Sequence, residues 1–284
     1  MSRVEIRLGD VVLYAGAPQP QHGCYIVFSK LLGWWDGVES TGESIQKEFA
    51  DGAWITPAYD EARTLVVQGH LWADDQPTLR DGIAWMKTQI PKSDLGLFVA
   101  TEHAQVSHTL VRRDGKPEFP WDGGETASFS IQLIAPDPRK LGGEGSSPYQ
   151  FQATAFLPFT TGGLQVPFTA PFTIGAMVIN GSVTVTAQGD APPPVLVRID
   201  GPAVQPIIRD EMGGVMPLDI SLDAGQWLDV DLDARTIKIN STVNRRNLLR
   251  GAWITPRSGM VLSLDAAVYD PLTSMTVFWT DASY

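Results

Sequence analysis

The run Trp227-Leu228-Asp229-Val230-Asp231-Leu232-Asp233-Ala234-Arg235-Thr236-Ile237-Lys238-Ile239 sets the fold class of this chain. Leu228, Val230 and Leu232 alternate with Asp229, Asp231 and Asp233. A period of two puts the apolar residues on one face of a strand and the acids on the other. Asp233-Ala234 lies at the turn, and Ile237 and Ile239 carry the pattern back along a second strand. This hairpin predicts a half-buried antiparallel sheet, with the three aspartates on a solvated face.

The same period extends outward from it. Val195, Val197 and Ile199 alternate with Leu196, Arg198 and Asp200, and Val183, Val185 and Ala187 alternate with threonines. Met275, Val277 and Trp279 close the chain as a last strand. Short strands at regular spacing, separated by turn residues, predict a β-sandwich over residues 176–284.

The N-terminal part is also mainly β. Val4-Glu5-Ile6-Arg7-Leu8 and Val11-Val12-Leu13-Tyr14 flank a Gly9-Asp10 turn, and further strands are predicted over 64–72, 97–100, 106–113 and 127–135. In the last of these, Phe129, Ile131 and Leu133 point one way and Ser128, Ser130 and Gln132 the other. Pro136-Asp137-Pro138 ends it. One helix interrupts the strands. Leu79, Ile83, Met86 and Ile90 recur at helical spacing, Thr78 is the expected N-cap with Asp81 three residues on, and Pro91 blocks continuation. Gly82 weakens this helix modestly. The expected fold is therefore a sandwich-like or barrel-like N-terminal domain with one helix over 1–140, a linker or arm over 141–175, and the C-terminal sandwich. The linker combines Gly142-Gly143-Glu144-Gly145-Ser146-Ser147 with an apolar stretch bearing Phe151, Phe156, Phe159, Phe168 and Phe172. Those rings need cover from a domain or a neighbouring chain.

Composition narrows the function. The 284 residues carry a formal net charge of −11, which argues against a nucleic-acid reader and against a binder of anionic membranes. The start lacks an apolar signal core and no stretch is long and apolar enough to span a bilayer, so synthesis in a cytosol is expected. The single cysteine, Cys24, sits in an apolar run and is expected to be a buried, inert thiol.

Chemistry-bearing patterns are weak. His22, His70, His103 and His108 lack metal-ligand spacing. The row Asp229, Asp231, Asp233 could offer oxygens to calcium, but alternation already accounts for it. Asp74-Asp75 and Asp210-Glu211 read as loop acids with no partner visible. There is no nucleophile elbow, phosphate loop or dinucleotide fingerprint. No catalytic, cofactor or metal residue is assigned, and no cofactor is expected. Trp227 and Trp279 fall in strand patterns and are expected in the core. Trp34, Trp35 and Trp121 lie in loops and are candidates for a contact surface. The hexapeptide Gly-Ala-Trp-Ile-Thr-Pro occurs twice, at 52–57 and 251–256, with unrelated flanks. It reads as a coincidence or as one strand-end solution used twice.

Two segments carry a resemblance. Ser128-Phe129-Ser130-Ile131-Gln132-Leu133-Ile134-Ala135-Pro136-Asp137-Pro138 resembles the strand that closes the N-terminal domain of siphophage distal tail proteins. Residues 189–202, Pro206-Ile207-Ile208, 222–231, 235–240 and Trp253-Ile254-Thr255-Pro256 are similar to the C-terminal galectin-like domain of that family. Arg257-Ser258-Gly259-Met260 stands where the family often has glycine and asparagine.

The resemblance implies a structural protein at the virion tail tip and not an enzyme. Its copies would form a homo-oligomeric ring, hexameric in the family, whose channel lets DNA pass. The implied partners are the tail tube protein, the tape measure protein and the hub, baseplate and fibre proteins. Trp34, Trp35, Phe151, Phe156, Phe159, Phe168 and Phe172 are the candidate subunit interface. Two other classes stay open: a carbohydrate-binding module and a glycan-cleaving tail enzyme.

Overall fold

The computed structural model describes residues 4–16, 18–157, 181–268 and 270–284. Two compact units divide the chain. One comprises Met1–Ser147 with Ser283–Tyr284, the other Pro148–Ala282.

The first unit is built on a closed barrel of seven strands: Gly96–Glu102, Val4–Leu8, Val11–Tyr14, Cys24–Leu32, Arg63–Ala73, Thr126–Ala135 and Gln105–Arg113, with the last pairing back onto the first. Its neighbours are antiparallel except Val11–Tyr14 beside Cys24–Leu32. Closure removes free sheet edges. The alternation foreseen in sequence is the alternation observed. Phe129, Ile131 and Leu133 are all buried, with Phe129 opposite Gly69 and Ile131 and Leu133 opposite buried Val67 and Leu65 of the paired strand.

The helix Gln76–Gln89 lays Leu79, Ile83 and Met86 on this core. Its N-cap is Asp75 and not Thr78. The Asp75 carboxylate accepts from Thr78 N at 2.8 Å and from Thr78 Oγ1 at 2.9 Å. The helix therefore starts three residues before the expected position, with Thr78 as the donor in the cap. Gly82 has a packing role: a Cβ there would lie 2.2 Å from Cys24 Sγ. Cys24 is fully buried, and its Sγ lies 3.5 Å from Thr78 O. Burial, then the Asp75 charge, push its thiol pKa up.

The second unit is a sandwich. A six-stranded sheet runs Phe151–Phe156, Ser274–Trp279, Val195–Asp200, Trp227–Asp231, Thr236–Ile239, Val243–Asn244. A four-stranded sheet runs Ser182–Thr184, Val261–Asp265, Ile207–Asp210, Val215–Pro217. Val197, Val230 and Val277 of the first pack in one cluster with Ile208, Met216, Leu262 and Leu264 of the second. This is the two-layer packing that period-two strands require.

Three expectations are corrected here. The 141–175 stretch is not all linker: Lys140–Gly142 pairs with Gln105–Arg113, and Phe151–Phe156 is the edge strand of the six-stranded sheet. Its pattern buries Ala155 and half-buries Ala153, a short alternation masked in sequence by the glycines beside it. Residues 158–175 of that arm lie outside the described residues. Asp229 is not on a solvated face. It is 6% exposed, and Arg198 of the neighbouring strand grips it with Nε at 2.7 Å and Nη2 at 3.1 Å. Asp210 likewise has a partner, with Arg257 donating two bonds of 2.7 Å.

Candidate functional site

Between the barrel strands Cys24–Leu32 and Arg63–Ala73 the chain leaves the barrel as a two-stranded ribbon. Ser40–Thr41 pairs with Tyr59–Asp60, and Ser44–Gln46 pairs with Ala53–Ile55. Backbone bonds Glu61 N to Glu39 O (2.7 Å), Thr56 N to Glu43 O (3.0 Å) and Lys47 N to Gly52 O (3.1 Å) tie it from root to tip. From 39 to 62 every residue is exposed except Lys47 and Ala53, which are half-buried. Large apolar side chains stand on this ribbon in water: Phe49 is 98% exposed, Ile55 82%, Tyr59 72%, Trp54 68% and Ile45 56%. Ile45 and Trp54 face each other across the ribbon, and Ile55 sits at the adjacent position of its strand. Lys47 Nζ lies 5.0 Å from the Trp54 ring centre.

Such an element is unusual on energetic grounds. A two-stranded ribbon is marginal in water without a third strand or a packed face. Five large apolar side chains left exposed on one small element mark a place where another surface belongs. Sequence reading did not find it. Trp54-Ile55 entered only as part of the repeated hexapeptide, read as a coincidence or a strand-end solution. The available signal was five apolar residues scattered among six carboxylates over 39–61, a density of charge that a core does not tolerate.

The interface residues named from sequence divide. Trp34 is withdrawn, because it is 2% exposed in the barrel core. Its indole N–H donates to Glu102 at 3.0 Å and its ring lies 5.2 Å from Phe98. Trp35, the next residue of the same bend, is 52% exposed. Phe151 and Phe156 are 40% and 46% exposed on the edge strand, and Phe151 stacks on Trp279 at 5.9 Å. Phe159, Phe168 and Phe172 lie outside the described residues.

Several of the polar groups singled out in sequence have partners within the fold. His108 Nδ1 lies 2.9 Å from Gly143 O, His70 Nδ1 lies 3.2 Å from Ser128 Oγ, and His22 stacks on Trp85. Asp229 also accepts from Ser241 Oγ at 2.6 Å, and its hydrogen bond to Arg198 holds that guanidinium above its ordinary pKa. Burial, then Asp231, Asp233 and Asp229, push the Tyr149 phenol far above the usual range. Trp121 donates to Gly124 O at 2.7 Å and is 37% exposed. Among the described residues no three His, Cys, Asp or Glu side chains converge as a metal site would require.

A seven-stranded barrel carrying one helix and a protruding ribbon, joined in one chain to a two-sheet sandwich, defines the class: a two-unit, mainly β protein with an exposed apolar arm. This is the fold of the SPP1 Dit protein, described as a paradigm of the hub adsorption apparatus in phages that infect Gram-positive hosts. The match has a TM-score of 0.66, 13% identity and coverage of 98% of each chain. The phage P2 baseplate in its activated conformation with Ca also matches, with a TM-score of 0.48, 10% identity and 98% of each chain. No family model and no curated protein matches the sequence.

Proposed function

We propose that this chain is a non-enzymatic hub protein of a phage tail tip, whose copies join head to tail through the ribbon into a ring. The single observation that carries the reading is the exposed ribbon on a Dit-type fold. The exposed parts of Ile45, Phe49, Trp54, Ile55 and Tyr59 amount to about 700 Å², close to the ~800 Å² per partner of a standard interface. An arm that leaves one copy and lands elsewhere on the next is a heterologous contact, and such contacts close into rings when the rotation permits.

In this reading the ring, hexameric as in the family resembled, joins the tail tube to the hub, baseplate and fibre proteins. The tape measure protein and DNA pass its channel. A formal charge of −11 per copy lets DNA slide without sticking. The C-terminal sandwich takes the place of the galectin-like domain. The particle assembles in the host cytoplasm.

Negative-stain imaging and native mass spectrometry of the full chain test the ring. Closed rings are expected from the unaltered chain. Trp54→Ser combined with Ile55→Ser, both at exposed positions, is expected to leave monomers with an unchanged circular-dichroism spectrum. An unaltered chain that stays monomeric at every accessible concentration, or rings indifferent to the ribbon variant, would refute the proposal.

A further inference from the structure

Seven of the nine tryptophans have an aromatic ring or a cation against the indole; among the described residues, Trp35 and Trp121 have neither. Trp121 stands in a cleft of about 760 Å³ on the barrel unit, within the ~300–1,000 Å³ of small-molecule sites. The walls of the cleft include Pro120, Trp121, Asp122, Glu125, Thr126 and Ser128.

The loop that forms this cleft is tied to the barrel. Ser130 N donates to Glu118 O at 2.9 Å and Ser128 N to Pro120 O at 3.1 Å, so the chain folds back along the strand Thr126–Ala135. Ala73 N donates to Glu125 O at 3.1 Å. Within the loop, Gly124 N donates to Asp122 Oδ1 at 3.1 Å and the Trp121 indole N–H to Gly124 O at 2.7 Å. That bond holds the indole by its edge and uses its one donor, which leaves the ring to act through its face. Such a wall is ordered before a ligand arrives, which lowers the entropic cost of binding. Across the ladder, Trp72 lies opposite Thr126 and His70 opposite Ser128. Leu71 and Ala73 are buried, so Trp72 and His70 share the outward face with Thr126 and Ser128. Tyr25 stacks on Trp72 at 5.7 Å, so aromatic surface continues beyond the hydroxyls.

Charge narrows the ligand. Among the described residues, the lining carries two carboxylates and no lysine or arginine. Neither Asp122 nor Glu125 takes part in an ion pair within the chain. The cleft therefore repels anions. An ammonium ligand is best held by several rings closing around it, whereas here a single indole stands at one wall of a wide cleft. A pyranose matches what is present. Its C–H face is apolar and suits the indole face, and its rim of hydroxyls donates to carboxylates. We infer that this cleft binds a neutral oligosaccharide. One sugar ring stacks on Trp121 and donates hydroxyl protons to Asp122 and Glu125. The Thr126 and Ser128 hydroxyls meet the next ring, with Ser128 Oγ steadied 3.2 Å from His70 Nδ1. The inference stands on the cleft alone and needs neither the ring nor the ribbon.

An array of short neutral oligosaccharides probed with the full chain, followed by calorimetric titration of the strongest binder, tests it. Trp121→Ala is expected to weaken that binding on the order of ten-fold. Glu125→Gln keeps the shape of an exposed side chain that makes no ion pair, so the fold is expected to be unchanged while binding weakens roughly five-fold. This second variant decides the matter if Trp121→Ala disturbs the loop. An array that retains no neutral oligosaccharide overturns the inference. Binding unchanged by Glu125→Gln, or by a Trp121→Ala chain that keeps its melting temperature, puts the sugar elsewhere and also overturns it. Choline chloride serves as the ammonium probe. If it binds the unaltered chain and the sugars do not, the cleft is an ammonium site and the inference fails.

Discussion

Replacing Gly82 by alanine should destabilise the barrel unit, although glycine is a poor residue for the interior of a helix. At an exposed helical position the change gains about 1 kcal/mol. Here the new methyl would sit 2.2 Å from Cys24 Sγ and 3.3 Å from Cys24 Cβ. Ordinary contact between such atoms is about 3.5–4 Å, so the overlap with sulfur exceeds one ångström. Cys24 is fully buried on a central barrel strand and has no room to retreat. Overpacking of this kind costs ~1–3 kcal/mol, and the strong overlap argues for the upper part of that range. The net expectation is a loss of about 1–2 kcal/mol.

The cause is separable from a general intolerance of the helix. Cys24→Ala removes the sulfur, leaves a small void and gives up the weak contact with Thr78 O, for a loss of roughly 1 kcal/mol. In the double variant the alanine methyl at 82 occupies the space the sulfur vacates. The two changes should therefore be non-additive by about 2 kcal/mol in the stabilising direction. Differential scanning calorimetry of the full chain is the assay. Two units need not unfold in one transition, and the one that shifts with these variants is that of the barrel. If Gly82→Ala raises the stability by the ordinary helix gain, or if the two changes add within about 0.5 kcal/mol, the contact does not govern this position.

Two further outcomes follow from the sandwich. Asp229→Ala strands the Arg198 guanidinium between the Trp227 and Phe278 rings, 5.6 and 5.9 Å from its carbon. Because the Arg198 side chain keeps 35% exposure, the cost should be near 2 kcal/mol and below the ~3–5 kcal/mol of a fully buried broken pair; a urea midpoint for the sandwich that does not fall shows that the pair is idle. The Tyr149 phenol, raised by burial and by Asp231, Asp233 and Asp229, stays protonated in the fold where the unfolded chain ionises. Its contribution is complete below about pH 10 and is lost as pH rises beyond it. Melting temperatures followed between about pH 9 and 11 should fall less steeply in Tyr149→Phe, and identical slopes would remove the effect.

Much of the architecture was legible because burial in a sheet is written locally. Val195, Val197 and Ile199 are all fully buried, as are Leu228 and Val230, and a period of two needs no knowledge of the partner strand. The helix was legible from its spacing, but its start was not. Asp75 and Thr78 are both good capping residues, and which one accepts depends on where the preceding strand releases the chain. Asp229 was misread because its cover comes from Arg198, 31 positions earlier, across a register that sequence does not print. The candidate site was the least legible part. Trp34 and Trp35 are chemically identical, and only the barrel decides that the first is inside and the second outside.

The repeated hexapeptide makes the division plain. By itself the sequence determined that both copies of Gly-Ala-Trp-Ile-Thr-Pro carry a bulky apolar pair that prefers cover, and that period-two strands would build two mainly β layers. It could not determine where cover exists. Ile254 is 4% exposed in the sandwich core, while Ile55, in the same six residues, is 82% exposed on the ribbon. Hydrophobic free energy depends on what surrounds a side chain rather than on the side chain alone, and surroundings are a property of the tertiary structure.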